Sequence, residues 1–178
     1  MKKLYSLSLV LATVFLLQAC NESEVLIAPT PGDELSKASG NGPLNFTAHL
    51  TGDQEVPPAT TNATGQVKFQ VSKDRQSVSF KLIVANLEDV RMAHIHIAPA
   101  GVNGPVVVWL YPEAPPMLLI PGTTNGILAQ RSFNNSNLTG PLVGMEISDL
   151  VAALKSGNAY VNVHTNAYPG GEIRGQIK

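Results

Sequence analysis

Four side chains in two short segments of the chain could together bind a metal ion. His94 and His96 are two residues apart, so on a β-strand both imidazoles point to the same face of the sheet. Further along the chain, a turn over residues 166–171 would form a hairpin in which His164 lies almost opposite Glu172. Three neutral imidazoles, with Glu172 as a further ligand or as a partner of the ligands, form a donor set that suits copper or zinc. A three-histidine site for one of these metals is therefore one hypothesis.

The same segments also admit a structural interpretation, which the sequence alone favours. Asn162 and Arg174 fall on the same strand face as His164 and Glu172, and Asn103 lies in the glycine-containing loop after the first segment. In this interpretation the imidazoles are hydrogen-bonded donors, and Glu172 and Arg174 form an ion pair that fixes a loop. Asn162, Arg174 and Asn103 would then form either a structural network or a face that contacts a ligand.

Motifs of the common enzyme classes are missing from the sequence. It contains no nucleophile elbow, phosphate-binding loop, dinucleotide fingerprint or convincing pair of carboxylates, so we expect a non-enzymatic protein. Superoxide dismutase-like redox activity remains a weaker alternative, because copper/zinc superoxide dismutases also combine an HxH strand, a later histidine and a C-terminal arginine. This chain departs from their pattern in lacking a bridging histidine, zinc-loop ligands and a disulfide pair.

Alternation of apolar and polar residues predicts β-strands through most of the chain beyond residue 43. The alternation is clearest over residues 44–51, 67–71 and 77–84, with a hairpin turn at 74–76. Later strand-like runs cover residues 93–98, 105–111, 126–133, 159–165 and 172–178.

One short helix interrupts this series of strands. We expect Ser148 to cap its first turn, Leu150, Val151 and Leu154 to form its buried stripe, and Gly157 to follow its last turn. Many short strands with one short helix predict an all-β protein, built as an antiparallel β-sandwich.

The N-terminal residues have the features of an exported lipoprotein. Lys2 and Lys3 precede a short apolar run over residues 4–17, as in a secretory signal peptide. The next residues, Leu-Gln-Ala-Cys, resemble the bacterial lipobox, whose cysteine is lipidated and becomes the new N-terminus. We therefore expect Cys20 to anchor the protein to a membrane of the cell envelope, outside the cytoplasm, in the periplasm or at the cell surface. The predicted organisation is a signal peptide over residues 1–19, a lipidated cysteine and flexible linker over 20–42, and one domain over 43–178.

Charge and cysteine content restrict the partners. Removal of Lys2 and Lys3 with the signal peptide lowers the number of basic residues from 12 to 10, against 13 acidic residues. The remaining chain has no basic run, so nucleic acid is not an expected partner. Because Cys20 is the only cysteine, the domain cannot contain a disulfide.

Several motifs resemble those of the CHRD (chordin-type) domain family. They are AHIH at 93–96 with the following Gly-Asn-Gly-Pro-Val loop, YVNVHT at 160–165, GEIRGQI at 171–177, and the early stretch over 46–58 and 63–65. The resemblance extends from about Leu44 to Lys178 and implies an immunoglobulin-like β-sandwich. It implies no established activity. We therefore expect a lipid-anchored binding or adhesion module with a protein or glycan ligand, and the alternative is a copper- or zinc-binding protein.

Overall fold

The computed structural model of the protein describes residues 44–178, so the predicted signal peptide, Cys20 and the whole predicted linker lie outside the described residues. Within the described part, the strands are β1 Asn45–Thr51, β2 Thr64–Val71, β3 Ser77–His96, β4 Val106–Tyr111, β5 Ile120–Asn134, β6 Tyr160–Thr165 and β7 Ile173–Gln176. The helix is α1, Ile147–Lys155, and short 3-10 turns occupy Gly52–Gln54, Asn135–Asn137 and Gly140–Leu142.

All strand pairs of the described domain are antiparallel, and the sheet closes around one core. The strands follow the order β2-β1-β7-β6-β3-β4, while β2 also pairs with the first half of β3 and thereby closes the circuit. The first half of β3 pairs with β2 and β5, and its second half pairs with β4 and β6. The predicted all-β, antiparallel fold with one short helix is confirmed.

In strand β3 the residues that face the core are at even-numbered positions in the first half and at odd-numbered positions at the end. Its buried apolar residues are two apart up to Val84, then three apart through Leu87 and Val90 to Ala93, after which Ile95 resumes the normal spacing. The pairing register of β3 shifts over the same stretch, and such β-bulges bend a strand and insert unpaired residues. Each of these three intervals adds one residue to the normal spacing of two, so the core-facing residues change from even-numbered to odd-numbered positions. His94 and His96, at even-numbered positions, therefore lie on the face opposite Ala93 and Ile95, outside the apolar core.

Helix α1 packs its apolar stripe against the core. Leu150, Val151 and Leu154 are buried as expected, and Gly157 has the left-handed φ of +70° that follows many helix ends. The expectation that Ser148 caps the helix is wrong, because the helix begins at Ile147 and the Glu146 backbone N–H donates to the Asp149 carboxylate instead. No helix within residues 44–178 is long and apolar enough to cross a membrane.

Candidate metal centre

The end of β3 and strand β6 place the three histidines side by side. In the pairing register, His94 faces Asn162, His96 faces Tyr160 and Met92 faces His164. Residues that alternate with these on both strands, such as Ala93 and Val163, are fully buried in the core. One apolar face therefore holds the strands against the core, while the other face carries the imidazoles.

The imidazoles of His94, His96 and His164 converge. Each offers one nitrogen to a group in which these atoms all lie within 4.8 Å of one another. The side chains are only 3%, 7% and 6% exposed, respectively. No other group of three potential metal-ligating histidine, cysteine or acidic side chains is found within residues 44–178.

Two backbone carbonyls determine which nitrogens of the site carry protons. His96 Nδ1 lies 2.8 Å from the Gly104 carbonyl oxygen, and His164 Nδ1 lies 3.0 Å from that of Pro169. A carbonyl oxygen only accepts hydrogen bonds, so Nδ1 must be the protonated nitrogen of each neutral ring. Nε2 of both rings therefore presents a lone pair. Metal-binding histidines are usually oriented by such a bond from the other ring nitrogen.

Two imidazole nitrogens of the cluster lack a hydrogen-bond partner, and a third has an unfavourable contact. Nε2 of His94 and Nε2 of His96 are buried and have no partner within the described residues. His164 Nε2 lies 3.3 Å from His94 Nδ1 and 3.0 Å from Asn162 Oδ1. Because Nδ1 carries the proton of the neutral His164 ring, its Nε2 and the Asn162 oxygen meet as two acceptors. A cation held between the rings could bind one nitrogen of each imidazole, since these nitrogens lie within 4.8 Å of one another.

Burial keeps the three imidazoles neutral near pH 7. It lowers the pKa of His94 to about 3, helped by the neighbouring His164 and His96. Burial also lowers the pKa of His164 to about 4, although the hydrogen bond to the Pro169 carbonyl favours the charged form and so acts in the opposite direction. The pKa of His96 is lowered mainly by burial as well. Metal binding requires the neutral imidazole, so the site needs to release no proton from these rings before an ion enters.

Aromatic rings and an arginine enclose the imidazoles. Tyr160 stacks on His96, with ring centroids 4.7 Å apart and an angle of 4° between the planes. The Arg174 guanidinium lies on the Tyr160 ring, 3.4 Å from its centroid. Trp109 meets His94 edge-on, at 4.3 Å between centroids. The predicted metal-binding face is therefore a closed site whose ring orientations are fixed by packing.

The structure brings the predicted residues Asn103 and Arg174 together. Arg174 is 1% exposed and donates to Asn103 Oδ1 at 3.1 Å and to the Val102 carbonyl at 2.8 Å. The Asn103 amide donates in turn to the Val56 carbonyl at 2.7 Å. These bonds fix the loop that supplies the Gly104 carbonyl to His96, so Arg174 positions one of the imidazoles indirectly.

Glu172 does not join the histidines. Its carboxylate accepts hydrogen bonds from Thr61 Oγ1 at 2.7 Å and Thr165 Oγ1 at 2.6 Å, and it lies outside the group of converging ligand atoms. The ion pair expected between Glu172 and Arg174 is also not among the salt bridges of residues 44–178. The threonine hydroxyls satisfy the carboxylate on one side, while the guanidinium turns toward the loop that contains Asn103.

Sequence reasoning missed Glu55 as part of the site's surroundings. Glu55 is 4% exposed, and its Oε1 has no hydrogen-bond partner within residues 44–178. Burial raises its pKa to about 7, although Arg174, the Val56 backbone and the Asn162 amide favour the charged form. Gly171 makes room for this carboxylate, because a Cβ there would collide with Glu55 Oε1. No periodic pattern marks Glu55, and the only sequence signal is its place in the early CHRD-like stretch.

These features define a class of protein, namely a single-core, all-β domain with a buried three-histidine cluster on one sheet face. Comparison with known families identifies that domain, because the model of the CHRD domain matches residues 46–177. The match covers most of the chain, and the chain therefore belongs to the CHRD domain family. Searches of curated proteins and of solved structures find no match.

Proposed function

We propose that the protein is a metal-binding module of the cell envelope, whose three histidines hold one copper or zinc ion. The observation that carries this proposal is the pair of imidazoles whose Nδ1–H groups are held by the Gly104 and Pro169 carbonyls. This arrangement leaves a lone pair on Nε2 of each of these two buried rings, and one nitrogen from each of the three histidines lies within 4.8 Å of the others. The binding module expected of the family would thus have an ion as its ligand, in place of a protein or glycan.

The hydrogen-bonding deficit supports a metal site over a purely structural network. In a structural network the buried nitrogens would have partners, since almost all buried polar groups do. Here Nε2 of His94 and of His96 lack partners among the described residues, and His164 Nε2 faces the Asn162 oxygen. An unsatisfied buried polar atom costs about 1–3 kcal/mol, so two such nitrogens need a compensating role. Metal binding supplies that role.

Enclosure of the site supports binding over catalysis. All three histidines are at least nine-tenths buried, and Trp109 and Tyr160 pack directly on two of the rings. A catalytic metal keeps an open position for water or substrate, whereas a closed site favours retention of the ion. We therefore propose a non-enzymatic role, and superoxide dismutase-like activity remains the weaker alternative.

Metal analysis of the full chain tests this function. The protein is purified without a histidine tag and with Cys20→Ser, so that its only thiol cannot bind metal. After exposure to copper or zinc and gel filtration, we expect about one ion per chain, as a single closed three-histidine site allows. His96→Ala should abolish retention. His49→Ala is the matched control, because His49 is exposed on β1, and should leave it unchanged. Equal metal content in all variants would contradict the proposal.

The membrane anchor is part of the same proposal and rests on the sequence around Cys20. Fractionation of cells that produce the unmodified chain should place it with the membranes, and labelling with a fatty acid should mark it. Cys20→Ser should remove the label, because the thiol is the predicted attachment point. Labelling that persists in the Cys20→Ser variant would contradict the assignment of this residue as the anchor.

A further inference from the structure

A methionine lies directly beside the three-histidine cluster. Met92 precedes His94 by two residues on β3, so its side chain leaves the same face of the strand, and it is paired with His164 across the sheet. Side chains of such pairs start about 4.5–5.5 Å apart at Cβ. Met92 is half-buried, and its unbranched thioether side chain can adapt to irregular spaces. The register thus starts a soft thioether donor on the same strand face as the histidines, opposite His164.

The other methionine close to this part of β3 is already engaged. Arg91 Nη2 and Nε contact Met117 Sδ at 2.6 Å and 3.0 Å, and the Met117 side chain is 46% exposed. Guanidinium donors directed at this sulfur occupy the electron pairs that would bind a metal. Pairing with His164 places the start of the Met92 side chain beside the cluster. We therefore expect replacement of Met92, but not of Met117, to affect metal binding.

The charges around the cluster oppose a divalent ion. The positive charge of Arg174 acts on His96, and that of Arg91 acts on His164. Neither buried carboxylate, Glu55 or Glu172, belongs to the group of converging ligand atoms within the described residues. Glu55 partly offsets Arg174, but the ligands themselves carry no negative charge. The cost of burying an ion rises steeply with its charge, so a neutral ligand set in this surrounding favours a monovalent ion.

Softness of the donors indicates the same ion. Thioether ligands select Cu(I), and imidazole also suits copper. We propose that the site selects Cu(I) over Zn(II), with the Met92 thioether completing a ligand set of His94, His96 and His164. This inference rests on the proposed metal-binding function and adds the identity of the ion and a fourth ligand.

The test compares Cu(I) and Zn(II) binding by the full chain in the Cys20→Ser background. Cu(I) affinity is measured without oxygen by competition with a chromogenic Cu(I) chelator, and Zn(II) affinity by competition with a zinc indicator. We expect Met92→Leu to weaken Cu(I) binding at least about tenfold, since loss of even an outer partner of a ligand costs that much. Zn(II) binding should change by less than about threefold, because zinc prefers nitrogen, oxygen and thiolate donors. Met117→Leu is the matched control and should change neither affinity.

X-ray absorption at the copper edge provides a second readout. The Cu(I)-loaded chain should show one sulfur scatterer beside the nitrogen scatterers, and Met92→Leu should remove it. Unchanged Cu(I) affinity and an unchanged spectrum in Met92→Leu, or an effect of Met117→Leu in its place, would overturn the role of Met92. Tighter binding of Zn(II) than of Cu(I) would overturn the selectivity while leaving a histidine metal site. Absence of any metal binding that depends on His96 would instead refute the metal-binding function itself.

Discussion

Replacing the buried Glu55 by glutamine should stabilise the protein at alkaline pH and leave its stability nearly unchanged in acid. Burial raises the pKa of Glu55 from 4.5 to about 7 in the folded chain. Between these values the folded state binds the proton more tightly than the unfolded state does. The stability associated with the neutral carboxyl is therefore fully present below pH 4.5 and is lost as the pH rises through about 7. Glutamine carries no charge at any pH and should not show this loss.

The expected change in the free energy of unfolding follows from the size of the pKa shift of Glu55. A raised pKa of this size corresponds to about 3 kcal/mol at pH 8, because each pKa unit is worth about 1.36 kcal/mol. Two surface pockets lie against Glu55, so water screens part of the charge and about 1–2 kcal/mol is the expected gain for Glu55→Gln. His94 and His164, whose pKa values are lowered, act in the opposite sense and favour folding as the pH rises toward 6.5. The comparison between variant and parent cancels that contribution.

Urea denaturation of the metal-free protein at several pH values between 4 and 8.5 measures this difference. Asp53→Asn is the control for loss of one negative charge in the same segment, because Asp53 is exposed. The reasoning fails if the free energies of unfolding of Glu55→Gln and the parent stay parallel across the pH range. It also fails if Glu55→Gln is the less stable protein at pH 8, which would mean that the ionised carboxylate is well satisfied in the folded state.

Three further predictions concern the surroundings of the histidines. Copper loading should lower the fluorescence of Trp109, the only tryptophan, because its ring contacts His94, and His94→Ala should remove this effect. Gly171→Ala should lower the free energy of unfolding by about 1–3 kcal/mol, since Gly171 has a φ of +132° and a Cβ would meet a buried carboxylate. Gly170→Ala, where a Cβ meets no atom within 4 Å, should be near neutral in the same denaturation experiment. Arg174→Lys should cost about 1–3 kcal/mol in unfolding free energy, because lysine cannot keep both the stack on the tyrosine and the bonds to the loop.

The strands could be predicted from the sequence where one face is consistently apolar. The alternation over residues 44–51, 67–71 and 77–84 corresponds to β1, β2 and the first half of β3. The alternation fails between Val84 and Ala93, where the core-facing residues are three apart, so the sequence indicated two separate runs where the structure has one strand of 20 residues. Bulges are set by pairing with distant strands, and a single sequence carries no record of that pairing.

The part of the site that depends on the spacing of neighbouring residues could be predicted from the sequence. The two-residue spacing of His94 and His96 and the polar row of the last hairpin predicted a shared face, and the structure places His164 beside them. Glu172 was wrongly associated with the histidines. Strand register determines where a side chain leaves the backbone, but it does not determine which group that side chain contacts. Its carboxylate is satisfied by two threonines, one of them 111 residues away in the chain. Glu55 was missed for the same reason, since its contacts are made only in the folded state.

The change of core-facing residues in β3 has a consequence for how this family can vary. Most insertions and deletions are tolerated in surface loops, where they leave the buried elements unaltered. Removal of one residue between Val84 and Ala93 would reverse the phase of the strand end, turning His94 and His96 inward and Ala93 and Ile95 outward. A sequence could then keep every histidine and still lose the cluster. The length of this short stretch, counted in single residues, is therefore as informative about the site as the histidines themselves.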